Sequence, residues 1–217
     1  LIRSRSARND AGTALAEALI KLGPGFIKFG QALSTRSDLI GPEMALSLSQ
    51  LQDRLPPFNS RRAREQIELA LGAPLDSVFS QFDPDPVAAA SIAQVHRARL
   101  QDGRQVAVKL LRPDIRRRMQ ADTSLFYALA RIMEWVAPDL RRLKLVTAVD
   151  QFTQISDIEL DLRLEAAAAG KLADNMAGDE GIHIPWVDLE HTTSEMLVIE
   201  WIEGIRIDDV AALTAAG

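Results

Sequence analysis

Cysteine is absent from the 217 residues, which excludes disulfides and thiolate metal sites and fits a reducing compartment. The three histidines, His96, His183 and His191, share no ligand spacing and no acid-nucleophile arrangement. They read as structural or surface residues, and no metal centre is expected. No uninterrupted apolar run reaches the roughly 18 residues of a membrane-spanning helix, and no signal-peptide pattern precedes the folded part. Aromatics do not interleave the basic stretches and the net charge is −5, so nucleic acid is not expected as a partner.

The rest of the composition is that of a globular protein: 47% of residues are hydrophobic, in a chain long enough for one large or two small domains. The chain opens on Leu1 and closes on Ala215-Ala216-Gly217, in what reads as a helix just begun, so a segment of a longer protein is expected. Arginine greatly outnumbers lysine, as in GC-rich bacteria. Charge is unevenly spread: Lys109 to Lys144 hold nine basic and four acidic residues, whereas Leu145 to Gly217 hold three basic and fifteen acidic. Arg116-Arg117-Arg118 and Arg141-Arg142-Leu143-Lys144 fit either solvated helix faces or contact with anionic lipid headgroups.

The pattern along the chain predicts an α+β fold. Gly23-Pro24 and Gly41-Pro42 bracket a helix from about Gly25 to Leu39, with Leu22, Phe26, Phe29 and Leu33 along one apolar face. A second helix follows Pro42, and Ser60 reads as the N-cap of a third that ends at Gly72. Pro56-Pro57 turns the chain between them. A β-rich core is expected at about 82 to 111, with strands at 86–100 and 104–111 joined by the hairpin signal Asp102-Gly103. Beyond Arg112-Pro113 a helix is expected with apolar residues Leu125, Leu129, Ile132 and Met133. A long helix from Val146 to Met176 should follow, ending before Gly178. Strands at Ile182–Leu189 and Met196–Trp201 complete the reading. Met119 and Met133 are taken as core packing.

Val106-Ala107-Val108-Lys109 is the most informative tetrapeptide. It reads as a half-buried strand with Ala107 and Lys109 on one face, leaving room beside a small side chain and placing one cation at the strand's end. Upstream, Pro86-Val87-Ala88-Ala89-Ala90-Ser91-Ile92-Ala93-Gln94-Val95-His96 takes the place where a phosphate-covering turn would carry glycines. Together with Lys28-Phe29-Gly30-Gln31 and Glu159-Leu160-Asp161, these segments, in this order, resemble the UbiB family of atypical kinase-like proteins, also called the ABC-one or ADCK family. The resemblance runs from about Leu22 to about Asp209.

The resemblance implies a protein-kinase-like small lobe. Residues 1–72 would be the helical extension, 73–111 the first strands, 112–177 inserted helices and the long glutamate-bearing helix, and 178–217 the last strands, the hinge and the start of another helix. It implies ATP or ADP as cofactor, bound by Ala88, Ala89, Ala90, Ser91, Val95, Ala107 and Lys109, with Glu165 as the partner of Lys109. Ile199 would lie behind the adenine and Glu200, Trp201 and Ile202 would form the hinge. Lys28, Gly30, Gln31, Glu159 and Asp161 would be the family's regulatory motifs, with Lys28 meeting Glu159 across the site. A plain structural salt bridge is the competing account of that pair. Gly30 costs its helix about 1 kcal/mol relative to alanine, as a close backbone approach would require. The family usually has an asparagine shortly after the glutamate, where this chain has Ala168.

The catalytic-loop aspartate, the metal-binding asparagine and the D-F-G aspartate of kinase chemistry are missing from this sequence. The segment is therefore expected to bind nucleotide without catalysis, with Mg²⁺ engaged only alongside a large lobe. By resemblance, the parent supports ubiquinone biosynthesis, in the cytoplasm and peripheral to the inner face of a bacterial membrane. The alternative is a non-catalytic module that binds anionic lipid or quinone-biosynthesis proteins.

Overall fold

The small antiparallel sheet grows from one hairpin. β3 (Ala93–Leu100) and β4 (Gln105–Leu111) pair from Ala93↔Leu111 to Arg99↔Gln105. The turn between them is closed by Leu100 N donating to Arg104 O at 2.9 Å and Arg104 N to Asp102 Oδ1 at 3.0 Å. β5 (Met196–Glu200) lies against β4, while β1 (Phe79–Phe82) and the short β2 (Ala88–Ala89) both pair with the other edge of β3. The computed structural model describes residues 2–49, 51, 56–205, 207 and 209–216; the side chains of 2–10, 39 and 140 lie outside that description.

Strand alternation divides the core in two. Val106, Val108, Leu110, Met196 and Val198 point to one face, covered by α5 (Ser60–Leu71) and α6 (Leu75–Val78) through Ala63, Ile67 and Leu75. On the other face, Leu111 and Leu197 meet α7 (Ile115–Val136), α8 (Leu145–Glu159) and α9 (Leu162–Met176) through Met119, Phe126, Phe152 and Leu162. The extension consists of α1 (Ile2–Leu22), α2 (Pro24–Ser34), α3 (Ser37–Ile40) and α4 (Pro42–Ser49), around Leu19, Leu48 and Leu51. α2 joins the extension to the lobe: Phe26 and Phe29 stand 4.8 and 4.9 Å from Phe126, and Phe29 stands 5.8 Å from Phe152. A final helix, α10, spans Val210–Ala216. Among the described residues no helix is long and apolar enough to cross a membrane.

Several local expectations are corrected. The helix expected from Gly25 to Leu39 stops at Ser34, where Ser34 and Thr35 hydroxyls donate to the carbonyls of Gln31 and Ala32, a local alternative to helical bonding. Leu22 is 57% exposed and ends α1; the buried residues of α2 include Ile27 and Gly30. Asn59, not Ser60, caps α5, accepting from Arg61 N at 2.8 Å. The sheet begins at Phe79, three residues before the expected core. The segment 182–189 makes only an isolated bridge, Val187↔Ile199, and is not a strand. Pro185, which has no N–H to give a ladder, sits in its middle. Along α7 the buried face is Ile115, Met119, Thr123, Phe126 and Ala130, leaving Leu125, Leu129, Ile132 and Met133 exposed.

Candidate functional site

Register places Lys109 at the centre of one sheet face. Directly paired residues across antiparallel strands share a side, so Ala88, Val95, Lys109 and Leu197 form one row and Arg97, Ala107 and Ile199 the next. Lys109 Nζ donates to both carboxylate oxygens of Glu165, at 2.9 and 2.7 Å. Glu165 lies in the first turn of α9, where the helix dipole favours a carboxylate. The pair is partly exposed, with side chains 30% and 49% accessible, and Ala107 lies on the same sheet face two residues earlier.

What aims Glu165 is a helix break that sequence periodicity did not reveal. The helix expected from Val146 to Met176 is two helices, divided at Leu160-Asp161. Asp161 caps α9 by accepting from Arg163 N at 3.2 Å and holds the Arg163 guanidinium at 2.6 and 2.9 Å. Those hydrogen bonds hold its carboxyl below the usual aspartate range. Arg116 of α7 donates to the Leu160 carbonyl exposed by the break, and Leu162 N donates to Ser194 O at 3.1 Å. The signal was an Asp two residues before an arginine at the start of an alanine-rich run, an N-cap pattern. The break also separates Phe152, Ile155 and Glu159 on α8 from Leu162 and Ala166 on α9, and Ile155 is 59% exposed.

Glu159, at the last turn of α8, receives Lys28 of α2 at 2.7 Å. α2 is held there by two further contacts. Gly30 is buried so closely that a Cβ would stand 2.4 Å from Leu51 Cδ1 and 2.7 Å from Leu19 Cδ1. Gln31 Nε2 donates to Leu51 O at 3.0 Å, so this glutamine joins the extension rather than the Lys109 face. A residue the sequence reading did not single out, Asp122 of α7, accepts from Gly25 N at 3.1 Å and supplies the N-terminal cap that Gly23 cannot. A Cβ on Gly25 would fall 2.4 Å from Asp122 Oδ2, and burial pushes the Asp122 carboxyl up.

The alanine segment is a pinned turn. Ala90 N donates to Ala93 O at 2.8 Å around buried Ser91 and Ile92, and Ala89 turns to the face opposite Ala88. Arg112 fixes it from the far side, with Nε to Ala90 O at 2.9 Å and Nη2 to Pro56 O at 3.0 Å. At the other end of the face, Glu200 N donates to Trp186 O at 2.9 Å and Trp201 N to Gln105 O at 3.1 Å. Among the described residues no partner is recorded for Ile202 N, nor for the buried indole Nε1 of Trp201, whose ring lies 4.7 Å beneath the Arg97 guanidinium.

A cleft of about 580 Å³ lies between Ala166, Gly170 and Ala173 of α9 and Trp186, Val187 and Thr192. Arg163 on its rim is engaged by Asp161, as Lys109 is by Glu165. His96 is fully buried between Gln94 and the Asp83 carbonyl, while His183 and His191 pair with Glu200 and Asp188.

The sequence profile of the ABC1 atypical kinase-like domain matches residues 50–217. The chain is 48% identical over 206 residues to a probable protein kinase UbiB of Marinobacter nauticus, covering 95% of this chain and 38% of that protein. It is 42% identical over 217 residues to the probable protein kinase UbiB of Aliivibrio fischeri, covering 100% of this chain and 40% of that one. The chain thus spans about two fifths of the length of these relatives. Among solved structures, the erythromycin complex of Rv3197 from Mycobacterium tuberculosis matches with a TM-score of 0.64 at 30% identity, over 95% of this chain and 51% of the other.

Proposed function

The chain belongs to the family of ABC1 atypical kinase-like domains, and on that premise we propose that it is the ATP- or ADP-binding small lobe of an atypical kinase or ATPase. The observation that carries this is Lys109, held by both oxygens of Glu165 yet partly exposed, on the sheet face it shares with the small side chain of Ala107. A lysine on a flexible stem needs such a carboxylate to hold it ready for phosphate oxygens. The nucleotide fits the residues at both ends of this face. Ile202 N is the hinge donor left for an adenine edge, and the turn at Ala88–Ser91 would cover the phosphates.

The alanines shape which phosphates are held. Glycines would allow close backbone approach and positive φ, whereas each methyl narrows the turn, and the Arg112 contact to Ala90 O limits its adjustment. The expected consequence is a preference between ATP and ADP unlike that of a glycine-loop kinase. The Lys28–Glu159 pair holds α2 beside the lobe, where it would obstruct a protein substrate. By the family's pattern, Mg²⁺ would be engaged only alongside the large lobe of a kinase fold, whose aspartate and asparagine hold the metal. For the whole protein, the reading extends to support of isoprenoid quinone biosynthesis, peripheral to a bacterial membrane.

Equilibrium titration of the chain with a fluorescent ATP analogue tests the reading, comparing wild type with Lys109→Met. Losing a charge-assisted contact of about 1.5–3 kcal/mol should weaken binding roughly 10- to 150-fold. Equal affinity in both proteins would remove Lys109 from the site.

A further inference from the structure

We infer that the outer face of α7 is a docking surface for an anionic lipid bilayer. α7 is apolar on two sides. The buried side, Ile115 to Ala130, packs on the lobe, yet the opposite side carries Leu125, Leu129, Ile132, Trp135 and Val136, exposed by 46 to 77%. At 100° per residue these five fall on one stripe, with the exposed alanines Ala121 and Ala128 between them. A stripe of this size on a solvated helix has no role in the core it faces away from. Contiguous apolar exposure of this kind marks an interaction surface.

Charge selects the occupant. Arg117 and Arg118 stand at the N-terminal end of the stripe, Arg131 on its flank, and Arg142 and Lys144 follow from the 3₁₀ turn Pro138–Leu143, which Arg141 ties to the Glu134 carbonyl at 2.9 Å. Among the described residues the side chains of Arg131, Arg142 and Lys144 are exposed and enter no ion pair. The helix's own acids are directed elsewhere: Asp122 accepts from Gly25 N, and Glu134 accepts from Val146 N at 3.3 Å. An apolar stripe with a tryptophan near one end and cations at both ends matches a helix lying in the interface of an anionic membrane. A second copy of the chain fits poorly, because both parallel and antiparallel pairing would oppose cationic ends.

This deepens the membrane part of the function proposed above and stands apart from nucleotide binding, since vesicle binding reads the one and nucleotide titration the other. The test is cosedimentation of the chain with phosphatidylcholine vesicles, with and without phosphatidylglycerol. Binding should require the anionic lipid and fall with added salt. Ile132→Ser and Trp135→Ser should each weaken it roughly tenfold or more, and Arg142→Ala with Lys144→Ala roughly fivefold per cation. Leu69→Ser, at an exposed leucine on α5 well outside the stripe, serves as the control and should leave it unchanged. All five sites are solvent-facing, so circular dichroism should be that of wild type. No binding to anionic vesicles, binding indifferent to the α7 changes, or a concentration-dependent dimer abolished by Trp135→Ser would each overturn the inference.

Discussion

Substituting Gly30→Ala tests how tightly α2 must sit against the extension to bring Lys28 to Glu159. Alanine in a helix interior should stabilise α2 by about 1 kcal/mol relative to glycine. Against this, the new methyl would lie 2.4 Å from Leu51 Cδ1 and 2.7 Å from Leu19 Cδ1, distances that carbon atoms do not keep. Both contacts are the ends of leucine side chains, but Leu51 and Leu19 are 2% and 6% exposed and have little room to turn. Overpacking a filled core costs about 1–3 kcal/mol. The expected net effect is a loss of roughly 0–2 kcal/mol, or a fall in Tm of up to about 8 °C for a chain of this size. Urea denaturation would measure it, and a double-mutant cycle with Leu51→Ala isolates the cause: removing the leucine should let the methyl fit, making the pair less destabilising than the sum. A Gly30→Ala protein more stable by the full helix-propensity gain, with additive behaviour in the cycle, would refute the close packing of α2.

Other consequences can be checked separately. Phe126→Ala removes the ring between Phe26, Phe29 and Phe152 and should cost about 3–5 kcal/mol in denaturant unfolding. Asp122→Ala, by removing the cap on α2, should cost about 0.5–2 kcal/mol, whereas Asp122→Asn keeps an acceptor and should retain most of that stability. Burial pulls the His96 pKa below its ordinary 6.5. Below that value the unfolded chain takes up a proton that the folded one resists, so this contribution to stability is present at neutral pH. It should be lost as pH falls from about 6.5 through the depressed folded pKa, with a flatter pH profile in His96→Gln. Lys109→Met should change stability by only about 0–1 kcal/mol, because its pair with Glu165 is half-exposed, so any loss of nucleotide binding reads the site and not the fold.

The lobe's sheet was legible where local chemistry and tertiary packing agree. Asp102-Gly103 between alternating strands places the hairpin, and the alternation through Val106 and Val108 puts Lys109 on the face opposite the α5 core. The proximity of Lys109 to Glu165 and of Lys28 to Glu159 came from the family resemblance; no periodicity joins residues so distant in sequence. Apolar spacing misled where two faces compete. On α7 it ran through Leu125, Leu129, Ile132 and Met133, which solvent reaches; of the two methionines taken as core packing, Met119 is buried and Met133 is exposed, because both stripes fit a helix and only packing tells them apart. The α8–α9 break was hidden because no proline or glycine marks it. It is stabilised by the distant Arg116 and by Ser194, partners that a one-dimensional pattern does not contain. The Asp122 cap on α2 was hidden for the same reason.

The central claim, that nucleotide occupies the face bearing Lys109, is tested most directly by following backbone amide resonances of the chain while ATP or ADP is added. The account predicts shifts concentrated at Ala88–Ser91, Lys109 and Ile202, and their loss in Lys109→Met. Shifts confined to the cleft between α9 and Trp186–Thr192, or none at saturating nucleotide, would contradict it.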